Sequence, residues 1–259
     1  MSSETSPSLP RTGGQILVDQ LVLHGVQHIF CVPGESYLAV LDALHDAPIA
    51  LTVCRQEGGA AMMAEAHGKL TGRPGVCFVT RGPGATNAAA GVHIAMQDST
   101  PMVLFVGQIE RGARGREAFQ EVDYRAAFGP LAKWATEVDD ARRLPEIVAR
   151  AFSVACSGRP GPVVVALPED MLVERTEVSD ARALQPIATA PAPALSATPT
   201  ALAENCAQLP QAGVLGHLGP EVPAGFERFE RLIELVATDD TDRAHARQRW
   251  RHYADRGYQ

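Results

Sequence analysis

Six short apolar runs constrain the fold of this chain more than any other feature. They fall at 28–32, 49–54, 75–80, 102–106, 133–138 and 163–167, and stretches of helical periodicity or alanine content separate them. Strands that alternate with helices predict parallel βαβ units, and hence a doubly wound α/β domain with a six-stranded parallel sheet. The run Val76-Cys77-Phe78-Val79 contains no polar residue. That suits a parallel strand covered on both faces, because a strand with one wet face would alternate.

Local signals set the intervening helices. Thr12 is placed to cap a helix over 13–24, which Gly25 ends. Ser36 is expected to cap a helix bearing Leu38, Leu41 and Leu44. An alanine- and methionine-rich helix over 57–70 stops at Gly72 and Pro74, and its small residues suggest close packing on another helix at a subunit interface. Further helices are expected over 88–96 and from Pro145 to 157, where an early proline is tolerated. The glycines and arginines of 109–115 predict an exposed, mobile loop.

At 259 residues the chain holds one domain, or one and a half. Residues 1–11, rich in serine and proline, read as a disordered tail, and 12–176 as the α/β domain. The Ala/Pro-rich segment 177–200 reads as a linker. Residues 201–259 read as a partial second domain or a helical tail, with helices over 200–209, 226–236 and 241–254 and a strand over 213–218. The last helix is locally basic and is expected to be a solvated face. A net charge of −7 argues against nucleic acid or an anionic membrane as partner. No apolar run reaches the about 18 residues of a membrane span. The five cysteines show neither CxxC pairs nor metal spacing, so free thiols in a reducing cytoplasm are expected.

One carboxylate stands out. Glu57 follows the run 49–54, which is expected to be a buried strand, and opens a helix beginning Glu57-Gly58-Gly59-Ala60-Ala61. That junction lies at the carboxyl end of a sheet, where open α/β folds bind ligands. Glycine and alanine on either side let a flat ligand approach closely, and a carboxyl group there suits proton exchange. The plain alternative is a helix-start acid favoured by the helix dipole. The turn Gly82-Pro83-Gly84 has Asn87 where a dinucleotide fingerprint wants Gly or Ala, and 102–106 leads to Gly107-Gln108 instead of a ribose-binding acid. A Rossmann nucleotide site is therefore disfavoured, and no P-loop occurs.

Taken together, Val32-Pro33-Gly34, Arg55-Gln56-Glu57-Gly58, Ala64-Glu65-Ala66-His67-Gly68, Thr71-Gly72-Arg73-Pro74-Gly75, Gly82-Pro83-Gly84-Ala85-Thr86-Asn87, Asp98-Ser99-Thr100-Pro101, Gly107-Gln108 and Ala118-Phe119-Gln120-Glu121 follow a family order. The stretch from Gly13 to Asp170 that carries them resembles the N-terminal, pyrimidine-binding domain of thiamine diphosphate enzymes, in particular the acetolactate synthase group of branched-chain amino acid biosynthesis. The resemblance implies thiamine diphosphate as cofactor and 2-oxo acid decarboxylation or carboligation as activity. It makes Glu57 the catalytic acid at the aminopyrimidine ring, and places Val32, Pro33, Gly34, Pro83 and Asn87 around the cofactor. It brings Gln120 to the substrate across a homodimer interface. Glu35 departs from the small residue common in that group, which bears on substrate specificity.

No Gly-Asp-Gly motif occurs in the chain, so the Mg²⁺ that holds the diphosphate belongs to another domain or to a separate diphosphate-binding polypeptide. No metal ligand is assigned in this chain, and FAD has no support in its residues. A non-catalytic or split-enzyme subunit, and an inactive truncated homologue, remain open beside the enzyme reading.

Overall fold

The computed structural model describes residues 10–184, 214–217, 221–222, 226, 231–234 and 240–257. The chain divides into two units, Met1–Ala190 and Pro191–Gln259. In the first, β1 (Arg11–Thr12) leads into α1 (Gly13–Leu23), β2 (His28–Cys31), α2 (Leu38–His45), β3 (Ala50–Val53) and α3 (Glu57–Thr71). Then come β4 (Gly75–Val79), α4 (Pro83–Gln97), β5 (Met102–Gln108), α5 (Tyr124–Phe128) and β6 (Trp134–Glu137). The unit closes with α6 (Leu144–Cys156), β7 (Pro162–Pro168), α7 (Glu169–Val173) and β8 (Arg175–Thr176).

The six expected strands form one sheet in the order β3-β2-β4-β5-β7-β6, and every neighbouring pair is parallel. Side chains of α1, α2 and α6 fill one face, among them Leu17, Val40 and Val148. Side chains of α3, α4 and α5 fill the other, among them Ala61, Val92 and Phe128. β4, β5 and β7 are buried at every residue, as the unbroken apolar runs required. β2 connects outward to β3 over the first face, whereas its neighbour β4 connects to β5 over the second. The loops leaving these two strands therefore diverge and open a crevice at their carboxyl ends, the usual ligand position in such sheets.

Several elements differ from the sequence reading. β3 is the sheet edge, not a buried strand, and Val53 is 61% exposed. α4 begins at Pro83 instead of residue 88, because Gly82 turns the chain at φ +61° and proline at the first helical position loses no hydrogen bond. Thr12 does cap α1, in a reciprocal capping box with Gln15. Ser36 caps nothing; it lies in a single 3₁₀ turn, Glu35–Tyr37, with its side chain turned inward. Arg111 ties the 109–115 loop down, with Nε 2.7 Å from Asp170 and a second nitrogen 2.9 Å from Glu174. The small residues of α3 pack on α4 within the chain, where a methyl group at Gly91 would lie 2.6 Å from Ala61 Cβ. The four described cysteines are free thiols.

Burial lowers the pKa of His24, which stacks on Phe152 with ring centroids 4.7 Å apart. A histidine depressed on folding contributes stability that is complete above the unfolded value, 6.5, and is lost as pH falls below it. Urea unfolding at pH 7.5 and pH 5.5 is expected to show lower stability at the acid pH, with the gap narrowed in His24→Phe. An unchanged gap in the variant excludes His24 as the source.

In the second unit, β9 (Val214–His217) pairs in parallel with β10 (Arg231–Glu234), and a helix, α8 (Asp240–Ala254), follows. The strand expected over 213–218 and the helix over 241–254 are present. The helix expected over 226–236 is not, since 231–234 is a strand; a short apolar run such as Leu232-Ile233 does not distinguish the two by periodicity. The basic face of α8 is also not wholly solvated: Arg247 and Arg251 are exposed, but Arg249 is buried. The helix expected over 200–209 and most of the linker lie outside the described residues.

Candidate functional site

The crevice between β2 and β4 is built by backbone geometry first. Gly34, past β2, lies against Thr80, past β4, so closely that a methyl group at Gly34 would sit 2.4 Å from Thr80 Cβ. Ser36 locks the two loops together: it is fully buried, its Oγ lies 2.8 Å from Thr80 Oγ1, and it accepts the backbone N–H of Arg81 at 3.3 Å. Tyr37 donates its hydroxyl to the carbonyl of Val32 at 2.5 Å, and burial pushes that phenol's pKa up. The side chain of Val32 packs at the margin of the α3/α4/α5 layer.

Arg81 forms a clamp beneath these loops. Its guanidinium donates to Glu169 at 2.7 Å and to Glu35 at 2.8 Å, joining the segments after β2, β4 and β7. Arg81 is 7% exposed, so the charge is held by partners in place of water.

Glu57 is the first residue of α3, whose N-terminus is capped by the Gln56 side chain accepting from the N–H of Gly59 at 2.7 Å. The Glu57 side chain is half-buried. Asn87, one turn into α4, donates its amide to Glu57 Oε2 at 3.0 Å. The other oxygen, Oε1, faces Gly84; a methyl group there would lie 3.5 Å from it and 2.8 Å from Thr80 Cγ2. Gly84 is itself buried, and the space a side chain there would take is filled by Thr80 and bordered by Glu57 Oε1, so only glycine fits between the two.

Across the crevice, Gly82 donates its N–H to the hydroxyl of Tyr124 at 2.7 Å. Burial pushes the Tyr124 pKa up to about 12, against a lowering by that same hydrogen bond. Gln120 packs where a Gly82 side chain would be, 2.7 Å from its Cβ position, and has a left-handed backbone, φ +64°. The Glu121 carboxylate closes this loop by accepting the N–H groups of Gly115 and Ala118. Phe119, beside it, is 71% exposed. Tyr124→Phe strands the buried Gly82 N–H and is expected to cost about 1–3 kcal/mol, read as a lower urea midpoint; a midpoint equal to the parent's shows that the bond does not hold the turn.

The structure thus brings Glu57, Asn87, Pro83, Gly84 and Gly34 to one crevice, while Gln120 reaches its Gly82 rim. Sequence reasoning passed over Ser36 as a buried tie, Tyr124, and the Arg81 clamp. A charged residue directly after an unbroken apolar strand was the one local signal for Arg81. Among the described residues, no group of three or more His, Cys, Asp or Glu side chains can hold a metal ion, and no helix is long and apolar enough to cross a membrane.

The sequence model of a family described as "Thiamine pyrophosphate enzyme, N-terminal TPP binding domain" matches residues 11–127. A second family model, "DNA polymerase III chi subunit, HolC", matches residues 185–259. The chain is similar to acetolactate synthase of Bacillus subtilis, with 39% identity over 183 residues, which is 71% of this chain and 32% of that protein. It is also similar to the large subunit of acetolactate synthase isozyme 2 of Escherichia coli, with 44% identity over 159 residues, 61% of this chain and 29% of that protein. The mitochondrial acetolactate synthase of Schizosaccharomyces pombe is 42% identical over 162 residues, 62% of this chain and 24% of that protein. The matched segment therefore spans about a quarter to a third of these relatives.

Proposed function

The first unit belongs to the thiamine pyrophosphate enzyme family as an acetolactate synthase-like N-terminal domain, and from this premise we propose that it supplies the pyrimidine half of a thiamine diphosphate site. The observation that carries the proposal is the Glu57 carboxylate at the start of α3, held through Oε2 by Asn87 at the point where the sheet's connections diverge. Thiamine diphosphate, when bound, supplies the electron sink for 2-oxo acid decarboxylation and carboligation. The residues of this chain bind and orient its ring end. Glu57 Oε1 holds and exchanges a proton at a ring nitrogen. Asn87 fixes the other carboxylate oxygen, so the free one points at the ligand. Val32, Pro33, Gly34 and Pro83 form the walls, and Gln120 lies where a substrate contact from the rim is expected.

The anionic end and its Mg²⁺ are assigned to another domain or to a separate polypeptide, since the matched segment is under a third of the B. subtilis relative. FAD has no residue here to argue for it. The outer face of α3 and α4 exposes Met62, Met63 and Ile94, which supports a homodimer through that face.

For the second unit, the partial middle domain expected from sequence competes with a HolC-like module. The family match over 185–259 favours the latter. In that reading the chain joins two functionally separate units.

Calorimetric titration of thiamine diphosphate with Mg²⁺, alone and with a diphosphate-binding chain, tests the site. Heat that appears with the partner and weakens in Glu57→Gln is expected. Absence of heat in both conditions, or identical heat from Glu57→Gln, removes the proposal.

A further inference from the structure

The opposite edge of the first unit's sheet carries a second cavity. It opens at the amino-terminal ends of β2 and β4, beside the residues leading into each strand. A strand rises about 3.3 Å per residue, so the length of β4 puts it about 13 Å or more from the carboxyl-end crevice. Its volume is about 730 Å³, within the range of small-molecule sites.

The chemistry of its wall is one-sided. Among the described residues no aspartate or glutamate lines it, although the chain as a whole carries a net charge of −7. Arg73 and the imidazoles of His24, His28 and His67 do. Stacking and hydrogen bonding fix these rings. His28 stacks on Phe30 at 4.8 Å and shares a hydrogen bond of 2.7 Å with Thr52 Oγ1, and Phe30 meets His67 edge-on at 6.2 Å. His24 lies against Phe152, and its Nε2 is buried with no hydrogen-bond partner among the described residues. Leu23, Val26 and Leu184 supply the apolar part of the wall.

We infer that this cavity is a binding site for a small organic anion with an apolar body. A carboxylate there meets the exposed Arg73 and the partly exposed His67 imidazole with no acid among the described lining residues to compete, and such charge-assisted hydrogen bonds are about twice as strong as neutral ones. The body of the ligand lies on Phe152 and the aliphatic side chains and leaves water as it does so. A metal ion is the poorer match, because no three His, Cys, Asp or Glu side chains among the described residues converge for one.

The test uses the full chain, benzoate as probe, and benzamide as its uncharged counterpart, followed through the histidine ring resonances by NMR. Benzoate is expected to shift His24, His28 and His67 together and saturably, and to leave the exposed His93 unmoved. Benzamide is expected to bind about tenfold more weakly or worse. Arg73→Ala, at an exposed position, is expected to weaken benzoate by a similar factor while the thermal melt stays that of the parent. Four results overturn the inference: shifts that do not saturate, shifts that move His93 equally, equal affinity for benzamide, or an unchanged affinity in Arg73→Ala.

Discussion

Glu57→Gln is expected to lower turnover of a 2-oxo acid by about 10²–10⁴-fold, the usual contribution of a positioned acid or base, when the chain is supplied with a polypeptide that holds the diphosphate end. Glutamine keeps the size of the side chain and can still accept the amide of Asn87 that now reaches Oε2 at 3.0 Å. What it cannot do is take up and return a proton at the oxygen facing Gly84. The substitution therefore separates placement from proton exchange. Its helix should persist, because the cap of α3 comes from Gln56 and not from Glu57. Steady-state kinetics on the complemented protein, with circular dichroism as the check on folding, gives the answer. Turnover equal to the parent's leaves Glu57 as no more than an acid at a helix start.

Gly107→Ala is expected to lower the melting temperature by about 5–15 °C, from an overpacking cost of about 3 kcal/mol or more and the slope typical of a domain this size. The added methyl would lie 2.0 Å from Ser36 Oγ and 2.9 Å from the Ser36 carbonyl oxygen. Neither can retreat cheaply. Ser36 is fully buried, and its hydroxyl joins Thr80 to the backbone N–H of Arg81. Pushing it aside unpairs those groups, at about 1–3 kcal/mol for each left buried, and loosens the loop that carries Val32, Pro33 and Gly34. The double variant Ser36→Gly with Gly107→Ala makes room for the methyl and is expected to recover part of the loss. A single variant that melts with the parent shows that the Ser36 tie is not tight.

Much of the domain was legible because its signals are local. An unbroken run such as 75–79 or 163–167 has one comfortable environment, a strand covered on both faces, and both became central strands. Thr12 with Gln15 spelled a capping box. Failures came where a residue's state depends on what lies beside it in space. The run 49–54 is as apolar as its neighbours, yet β3 took the edge and is largely exposed. Leu232-Ile233 suits a helix or a strand, and pairing with β9 decided for the strand. Ser36 had the composition of a helix cap, and the empty side-chain position at Gly107 drew it inward instead.

The candidate site divides along the same line. Its acid, its glycine turn and Asn87 were readable because each is tied to a helix start or a strand end nearby in the chain. The Arg81 clamp was not: its partners Glu35 and Glu169 lie 46 and 88 residues away. The amino-end cavity was not either, since His24, His28, His67 and Arg73 are ordinary residues in four separate sequence contexts. Sequence by itself determined the six strands of the large sheet and which carboxylate opens α3, because backbone propensity and burial patterning act over a few residues. α5, α7 and the β1/β8 pair, with Arg11 in a strand instead of a tail, were not read from it. Only the tertiary structure decided the strand order, the locking of the β2 and β4 loops, and the gathering of imidazoles at the far edge. Those depend on chain segments meeting after dozens of intervening residues, and no local pattern encodes which surfaces will meet.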